Sequence, residues 1–141
     1  MKICLERGSH SVGQYAFHVI LVVAYRRDIF RDERVLRLTK AYLESKAEQM
    51  KIRIGAMEFG PDHVHIFTDK CGRWSGFELK RQLKGFSSYM MRKNHRKLFR
   101  HKLWGEKFWK TGDFCRSVGS VTAENVEFYV THCQQKHWEM N

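Results

Sequence analysis

The sequence lacks any hydrophobic run long enough to cross a membrane. Its longest apolar stretch, VILVVAY at residues 19–25, is far shorter than the roughly 20 residues that a membrane-spanning helix requires. The first 14 residues also lack the basic segment, apolar core and small-residue cleavage site of a secretion signal. We therefore expect no membrane segment and predict a cytoplasmic location.

Cysteines are few and scattered. Cys4, Cys71, Cys115 and Cys133 form no C-x-x-C pair, which argues against both a zinc knuckle and a disulfide framework. We expect four reduced thiols of ordinary reactivity.

Acidic residues are also scarce relative to basic ones. The chain has 26 Lys and Arg against 15 Asp and Glu, a net charge of +11 at pH 7 and a pI near 9.8. Residues 80–102 contain nine Lys and Arg and no acid, interleaved with Phe86, Tyr89 and Phe99. Cations that bind phosphates beside rings that stack on bases are typical of proteins that bind single strands. This favours a nucleic-acid partner over a merely solvated basic surface.

Hydrophobic periodicity predicts the order of helices and strands. A chain of 141 residues with 43% apolar residues can bury the core of one domain, residues 1–141. Asp32 and Ser75 are predicted to cap two helices, and the GPD turn at 60–62 predicts a hairpin. The predicted segments are strands at 14–27, 51–60, 63–70 and, as a strand or irregular extended segment, 106–119, and helices at 32–50, 75–93 and 122–138.

This β-α-β-β-α-β-α order predicts an α+β fold. It is the order of a split β-α-β sandwich, as in ferredoxin-like and RNA-recognition domains, with an antiparallel sheet covered by helices. Because such sandwiches support several functions, the fold does not choose among them.

Two histidines lie one residue apart in the stretch FGPDHVHIFTDK, residues 59–70. Side chains of a strand alternate between its faces, so His63 and His65 are expected on one face and Val64 and Ile66 on the other. Paired imidazoles can chelate a divalent ion with a third ligand, and Asp62 can hydrogen-bond one ring. Two satisfied structural histidines are the alternative.

Several short motifs occur together in one order across residues 14–136. They are AYRRDIF at 24–30, DHVH at 62–65, LKGFSS at 83–88, LWGEKFW at 103–109, SVG at 117–119 and FYVTHCQQ at 128–135. In this order they resemble the IS200/IS605-type transposases, which are single-tyrosine members of the HUH (His-hydrophobic-His) nucleases.

The resemblance implies a function and a set of site residues. His63 and His65 match the metal-binding pair, and Tyr129 matches the nucleophilic tyrosine on the last helix. The family cuts and rejoins one DNA strand at transposon ends, using Mg²⁺ or Mn²⁺ and a 5′-phosphotyrosine intermediate. It binds single-stranded DNA folded as a hairpin, and works as a homodimer in which each active site is completed by the partner's tyrosine helix.

The third metal ligand departs from the family pattern. The family has a glutamine four residues after the tyrosine, where this chain has Cys133. At about 100° per residue, His132 lies roughly 60° from Tyr129 around a regular helix, whereas Gln134 lies roughly 140° away. We therefore predict His132 as the third ligand, with Cys133 and Gln134 left open.

Cations and rings near these motifs are candidates for DNA contact. A strand transferase needs groups that position the backbone and groups that stack on bases. The predicted phosphate contacts are Arg26, Arg27, Lys80, Lys84 and Arg92, and the predicted stacking groups are Trp74, Trp104 and Trp109.

Two other classes of function remain open. One is a single-stranded nucleic-acid binder without catalysis, or an inactive transposase copy. The other is a domesticated relative that cleaves chromosomal repeats. The joint presence of His63, His65 and Tyr129 favours the active enzyme, which would be associated with the nucleoid when bound to DNA.

Overall fold

The computed structural model of the chain describes residues 16–112 and 114–119. The elements are β1 (Ala16–Val22), α1 (Glu33–Gln49), β2 (Arg53–Gly60), β3 (His63–Asp69), α2 (Gly76–Phe99) and β4 (Phe114–Gly119). The predicted last helix, with Tyr129, His132, Cys133 and Gln134, lies outside the described residues.

The four strands form one antiparallel sheet in the order β2-β3-β1-β4. Two residues, Pro61 and Asp62, connect β2 to β3, so the predicted hairpin is confirmed. The two strands that pair with β1 are β3 and β4, and neither follows β1 directly in the sequence. Helix α1 and strand β2 come between β1 and β3, and helix α2 comes between β3 and β4. This arrangement confirms the predicted α+β fold with a split β-α-β sheet.

Both helices begin at the predicted caps. The Asp32 carboxylate accepts the backbone N–H of Arg34 at 2.9 Å, and the Ser75 hydroxyl accepts that of Glu78 at 3.1 Å. These caps satisfy backbone donors that the first helical turn leaves without partners. In α1, residues buried at intervals of four form one stripe: Val35, Thr39, Leu43 and Ala47.

Two predicted boundaries were wrong. The strand predicted over 14–27 ends at Val22, because Tyr25 and Arg26 adopt left-handed backbone angles, with φ of 57° and 54°. The helix predicted to end at residue 93 continues to Phe99. It passes through a non-helical angle at His95, whose ring is hydrogen-bonded to the Tyr42 hydroxyl at 2.8 Å.

The helices cover one face of the sheet and form the core with it. The buried cluster joins apolar residues of the strands to those of both helices, among them Val19, Leu21, Val64, Ile66, Leu43, Leu79, Leu83 and Met91. Each such side chain contributes roughly 1.5–3 kcal/mol when fully buried. Since Val64 and Ile66 belong to this core, His63 and His65 are left on the opposite face, as predicted.

The segment after α2 returns to the end of β1. Trp109 pairs with Val23 in an isolated antiparallel bridge, and the Lys110 N–H donates to the Val22 carbonyl at 2.7 Å. This pairing brings residues 107–111 beside residues 24–26. No helix within residues 16–112 and 114–119 is long and apolar enough to span a membrane.

The two cysteines within the described residues are free thiols. Burial raises the pKa of the Cys71 thiol to about 11 and raises that of Cys115. Both thiols are therefore protonated and weakly nucleophilic at neutral pH, which agrees with the expected ordinary cysteines.

Candidate active site

The pairing of β1 with β3 places three histidines on the sheet face opposite the helices. In this register Val22 lies opposite His63, Ile20 opposite His65, and His18 opposite Phe67. Residues that face each other across a ladder project to the same side. His63, His65 and His18 are buried, with relative exposures of 5%, 2% and 0%.

His63 is fixed by the residue before it and by the strand beside it. Its Nδ1 is 2.7 Å from Oδ1 of Asp62, and the other Asp62 oxygen accepts from Nε of Arg26 at 3.1 Å. Across the hairpin, Gly60 lies under the imidazole: a Cβ at that position would be 2.2 Å from His63 Cε1 and 2.7 Å from Nε2. Only glycine leaves room for the ring in this position.

His65 is held by a third histidine. Its Nδ1 is 2.8 Å from Nε2 of His18, and the two rings are 5.1 Å apart and nearly parallel. A face of the His18 ring stacks on Phe67 at 4.3 Å and 7°. The stack on Phe67 holds the His18 ring in place, and the hydrogen bond at the edge of that ring orients His65.

The charge on Asp62 fixes the tautomer of His63. Burial raises the pKa of the Asp62 carboxyl, but hydrogen bonds from His63 and Arg26 lower it more, so its pKa is below the usual value. The carboxylate is therefore ionised at neutral pH and accepts a hydrogen bond from the Nδ1–H of His63. The lone pair of that imidazole is then on Nε2, the nitrogen through which the ring would bind a metal.

One acid lies across from the histidine pair. Glu58 of β2 faces His65 in the register of β2 and β3, and burial raises the pKa of its carboxyl. It is not grouped with the imidazoles as a metal ligand: among the residues that the structure describes, no three or more His, Cys, Asp or Glu side chains are arranged to hold a metal ion.

The spacing of the two imidazoles matches that of a pair that shares one divalent ion. Their ring centroids are 5.2 Å apart and the rings are nearly perpendicular, at 84°. Two imidazoles that bind one ion through nitrogen at about 2.1 Å, at an angle of about 90–110°, have centroids about 4.5–5.3 Å apart. With Nδ1 of each ring engaged by Asp62 or His18, the pair would supply two ligands to such an ion, and a further ligand would have to come from outside the described residues or from water.

The predicted DNA-contact residues are split between the two sides of the sheet. Arg26 reaches the site through Asp62, and Lys84 donates from Nζ to the Lys110 carbonyl at 2.9 Å, at the end of β1. Lys80 lies over the exposed Phe77 ring, and Nε of Arg92 donates to the Ser88 carbonyl at 3.2 Å. Lys80, Lys84 and Arg92 all belong to α2, on the side of the sheet opposite the histidines, and of these three Lys84 reaches toward the end of β1.

The predicted stacking residues differ in exposure. Trp104 is 69% exposed and has the Arg27 guanidinium 4.8 Å from its ring centre. Trp109 is buried and its Nε1 donates to the Ser87 hydroxyl at 2.9 Å, so the expectation that its ring faces DNA is wrong. Trp74 is half-buried and donates to the Met50 carbonyl at 3.0 Å, which gives it a structural role.

Sequence reasoning missed His18 and Gly60. A signal existed for His18, which is a polar residue in the apolar stretch AFHVILV and points, by the alternation of a strand, away from the core residues Val19 and Leu21. No pattern in the sequence reveals Gly60 as the residue under His63, since that contact depends on the register of the hairpin.

A family model described as "Transposase IS200 like" matches residues 11–133. Among curated proteins, the chain is 28% identical over 126 residues to the ISDra2 transposase TnpA of Deinococcus radiodurans, covering 89% of each chain. It is 27% identical over 124 residues to the transposase for insertion sequence element IS200 of Salmonella typhimurium, covering 88% of this chain and 80% of that one.

Solved structures share the fold. A protein from Deinococcus radiodurans R1 described as a transposase superposes with a TM-score of 0.67 at 23% identity, covering 91% of this chain and 97% of that one. A REP-associated tyrosine transposase bound to a REP hairpin gives a TM-score of 0.56 at 12% identity, covering 90% of this chain and 68% of that one.

Proposed function

Because this chain belongs to the family of IS200-like transposases, we propose that it cuts and rejoins single-stranded DNA at hairpin-bearing transposon ends through a 5′-phosphotyrosine intermediate. The observation that carries the proposal is the buried pair of His63 and His65. Their rings are 5.2 Å apart, and Nδ1 of each is engaged by a neighbouring side chain. A protein that only binds nucleic acid has no need for two imidazoles oriented in this way.

Tyr129 is the proposed nucleophile. Its phenolic oxygen forms a bond to phosphorus while the bond from phosphorus to the 3′ oxygen breaks. The phenolic proton is lost and the 3′ oxygen gains one, so the phosphodiester is exchanged for a phosphotyrosine diester of similar energy. Because the bond energy is retained, a 3′-hydroxyl can attack the same phosphorus and reseal the strand elsewhere.

His63, His65 and a third ligand are proposed to hold Mg²⁺ or Mn²⁺ beside the reacting phosphate. A divalent ion there supplies Lewis-acid stabilisation of the charge that develops on phosphate oxygens. For the third ligand we retain His132, with Cys133 and Gln134 as the alternatives. An imidazole at this position would favour Mn²⁺ over Mg²⁺, which prefers oxygen ligands.

The partners follow from the charge and from the family. A net charge of +11 suits a polyanion, and we propose that the chain binds single-stranded DNA folded as a hairpin. We also propose a homodimer in which each active site takes the tyrosine helix of the partner.

The test is the formation of a covalent adduct. The chain is incubated with single-stranded oligonucleotides that carry the palindromes flanking its gene, with Mn²⁺ or Mg²⁺, and resolved under denaturing conditions. Tyr129→Phe should bind hairpin DNA like the parent but form no adduct, because only the nucleophilic oxygen is lost. Tyr42→Phe is the control, because Tyr42 binds His95 between the helices and should leave the adduct unchanged.

Adduct formation by Tyr129→Phe would remove that residue as the nucleophile. No adduct and no cleavage by the parent, under conditions in which it binds hairpin DNA, would instead identify it as a non-catalytic binder.

A further inference from the structure

An exposed tyrosine stands on a strained backbone at the end of β1. Tyr25 is 75% exposed, and both it and Arg26 adopt left-handed angles, with φ of 57° and 54°. Two such non-glycine residues in succession cost free energy that the surrounding structure must supply. Here the Ala24 N–H donates to the Phe108 carbonyl at 3.0 Å and the Arg26 N–H to the Val23 carbonyl at 2.8 Å. With these backbone angles, the ring of Tyr25 is directed toward solvent.

The tyrosine borders a cleft between this turn and the segment that returns after α2. The cleft has a volume of about 560 Å³, within the range of about 300–1,000 Å³ that holds small ligands. Its lining consists of Ala24, Tyr25, Arg26, Lys107, Lys110 and Thr111. Among the residues that the structure describes, one tyrosine ring, three cations and the Thr111 hydroxyl surround the space, and none of these lining residues is acidic.

The two lysines of the cleft have no carboxylate partner among the residues that the structure describes. Lys107 donates to the Thr111 hydroxyl at 3.0 Å, and no ion pair of Lys107 or Lys110 occurs within residues 16–112 and 114–119. Arg26 is paired through Nε with Asp62. Glu106, which precedes Lys107 in the sequence, is exposed and is not part of the lining. The cleft is therefore complementary to an anion.

The cleft adjoins the histidine pair. The same Asp62 carboxylate accepts from Arg26 at 3.1 Å and contacts Nδ1 of His63 at 2.7 Å. A single strand with its phosphate beside His63 and His65 would therefore place a neighbouring nucleotide within reach of the cleft.

We propose that this cleft binds one nucleotide of the single-stranded DNA, with the base stacked on Tyr25 and its phosphate held by Lys107 and Lys110. The proposal rests on the proposed function, because it takes single-stranded DNA as the ligand. A tyrosine ring can stack on any of the four bases, because every base has a π-face. The cleft would thus position the strand next to the cutting site without selecting its sequence.

The experiment measures equilibrium binding of hairpin DNA with a single-stranded tail, by fluorescence anisotropy, in the Tyr129→Phe background so that no cleavage occurs. An abasic nucleotide is moved along the tail one position at a time. At one position it should weaken binding to the parent by between about 5-fold and 100-fold, the range for losing one stacked base. Tyr25→Leu should weaken binding to intact DNA by the same factor, and the abasic position should then cost nothing further.

Two further variants separate the ring from the charge. Tyr25→Phe should bind like the parent, since it keeps the ring. The double variant Lys107→Gln, Lys110→Gln should lower the slope of log affinity against log salt by about 1.4, because each single-strand phosphate contact contributes about 0.7. The control is Lys40→Gln with Lys51→Gln, two exposed lysines in α1 and just after it that do not line the cleft, which should leave the slope unchanged.

Equal binding by the parent and Tyr25→Leu, or an abasic effect that persists in that variant, would overturn the proposal. An equal slope of log affinity against log salt in the parent and in the double lysine variant would also overturn the proposal. The abasic scan changes only the DNA, so it tests the cleft even if a variant is poorly folded. If the Tyr129→Phe protein shows the abasic effect and the unsubstituted chain binds hairpin DNA but forms no adduct, strand transfer is refuted and the cleft is left in place. Adduct formation by the unsubstituted chain without the abasic effect would do the reverse.

Discussion

Adding one methyl group at Gly60 should disable the proposed metal site. A Cβ at this position would lie 2.2 Å from Cε1 of His63, with both ring nitrogens within 2.8 Å. Ordinary contacts of a Cβ begin near 3.4 Å, so the ring must move by at least about 1.2 Å, the difference between these two distances. Three ring atoms are too close at once, and a small tilt does not relieve all of them.

The imidazole has little freedom to move. It is 5% exposed and held at Nδ1 by Asp62 at 2.7 Å. A displacement of about 1 Å in a catalytic group can lower the rate about 100-fold. We therefore expect Gly60→Ala to reduce cleavage of a single-stranded substrate by about 100-fold and Mn²⁺ affinity by at least 10-fold. Overpacking should also lower the free energy of unfolding by about 1–3 kcal/mol.

The assays are calorimetric titration with Mn²⁺ and oligonucleotide cleavage, both well below the unfolding temperature of the variant. Gly85→Ala is the matched control, since a Cβ at Gly85 in α2 meets no atom within 4 Å. That change should leave both activities intact and raise the free energy of unfolding by about 0.5–1 kcal/mol. If folded Gly60→Ala binds Mn²⁺ and cleaves like the parent, the histidine pair is not held in the way described.

The remaining predictions concern His18, the third ligand and the cap of α1. His18→Phe keeps the stack on Phe67 but loses the hydrogen bond to His65, so Mn²⁺ affinity should fall about 10- to 100-fold in a calorimetric titration; unchanged affinity would exclude this positioning role. His132→Ala should lose metal binding and cleavage while Gln134→Ala retains both, and the opposite result would transfer the ligand to Gln134. A hydrogen bond from the Arg34 side chain is the largest cause that lowers the pKa of Asp32 to about 2 from 3.8. A carboxyl with a depressed pKa stabilises the fold above its unfolded pKa and loses that contribution as pH falls through the folded one. In urea unfolding, the advantage of the parent over Asp32→Asn should therefore be constant above about pH 5, shrink between about pH 4 and pH 2 and vanish below about pH 2; an undiminished advantage at pH 2 would contradict the assignment.

Local rules predicted much of the fold. The alternation of a strand placed His63 and His65 on one face, and the caps at Asp32 and Ser75 marked where helices begin. These features depend on residues within four positions of each other, so their physics can be read from the sequence.

Contacts across the sheet could not be predicted in the same way. The bond between His18 and His65 spans 47 positions and requires the β1–β3 register, which is not fixed until the strands pair. Trp109 looked suited to stacking on DNA, but its partner Ser87 is 22 positions away. Tyr129 and His132 remain predictions from motif and helix geometry.

Three imidazoles in the middle of a sheet carry a cost for stability. His18, His63 and His65 fill buried positions where apolar residues of similar volume would release more water and need no polar partner. Activity therefore favours histidine on this face, whereas stability favours apolar residues. Substitutions that make the face apolar should raise thermal stability while abolishing activity. In a transposon copy that no longer moves, activity no longer requires histidine at these positions. In such copies we expect apolar substitutions to accumulate first at these three positions. Loss of transposition would then be visible in the sequence of this sheet face before the fold is affected.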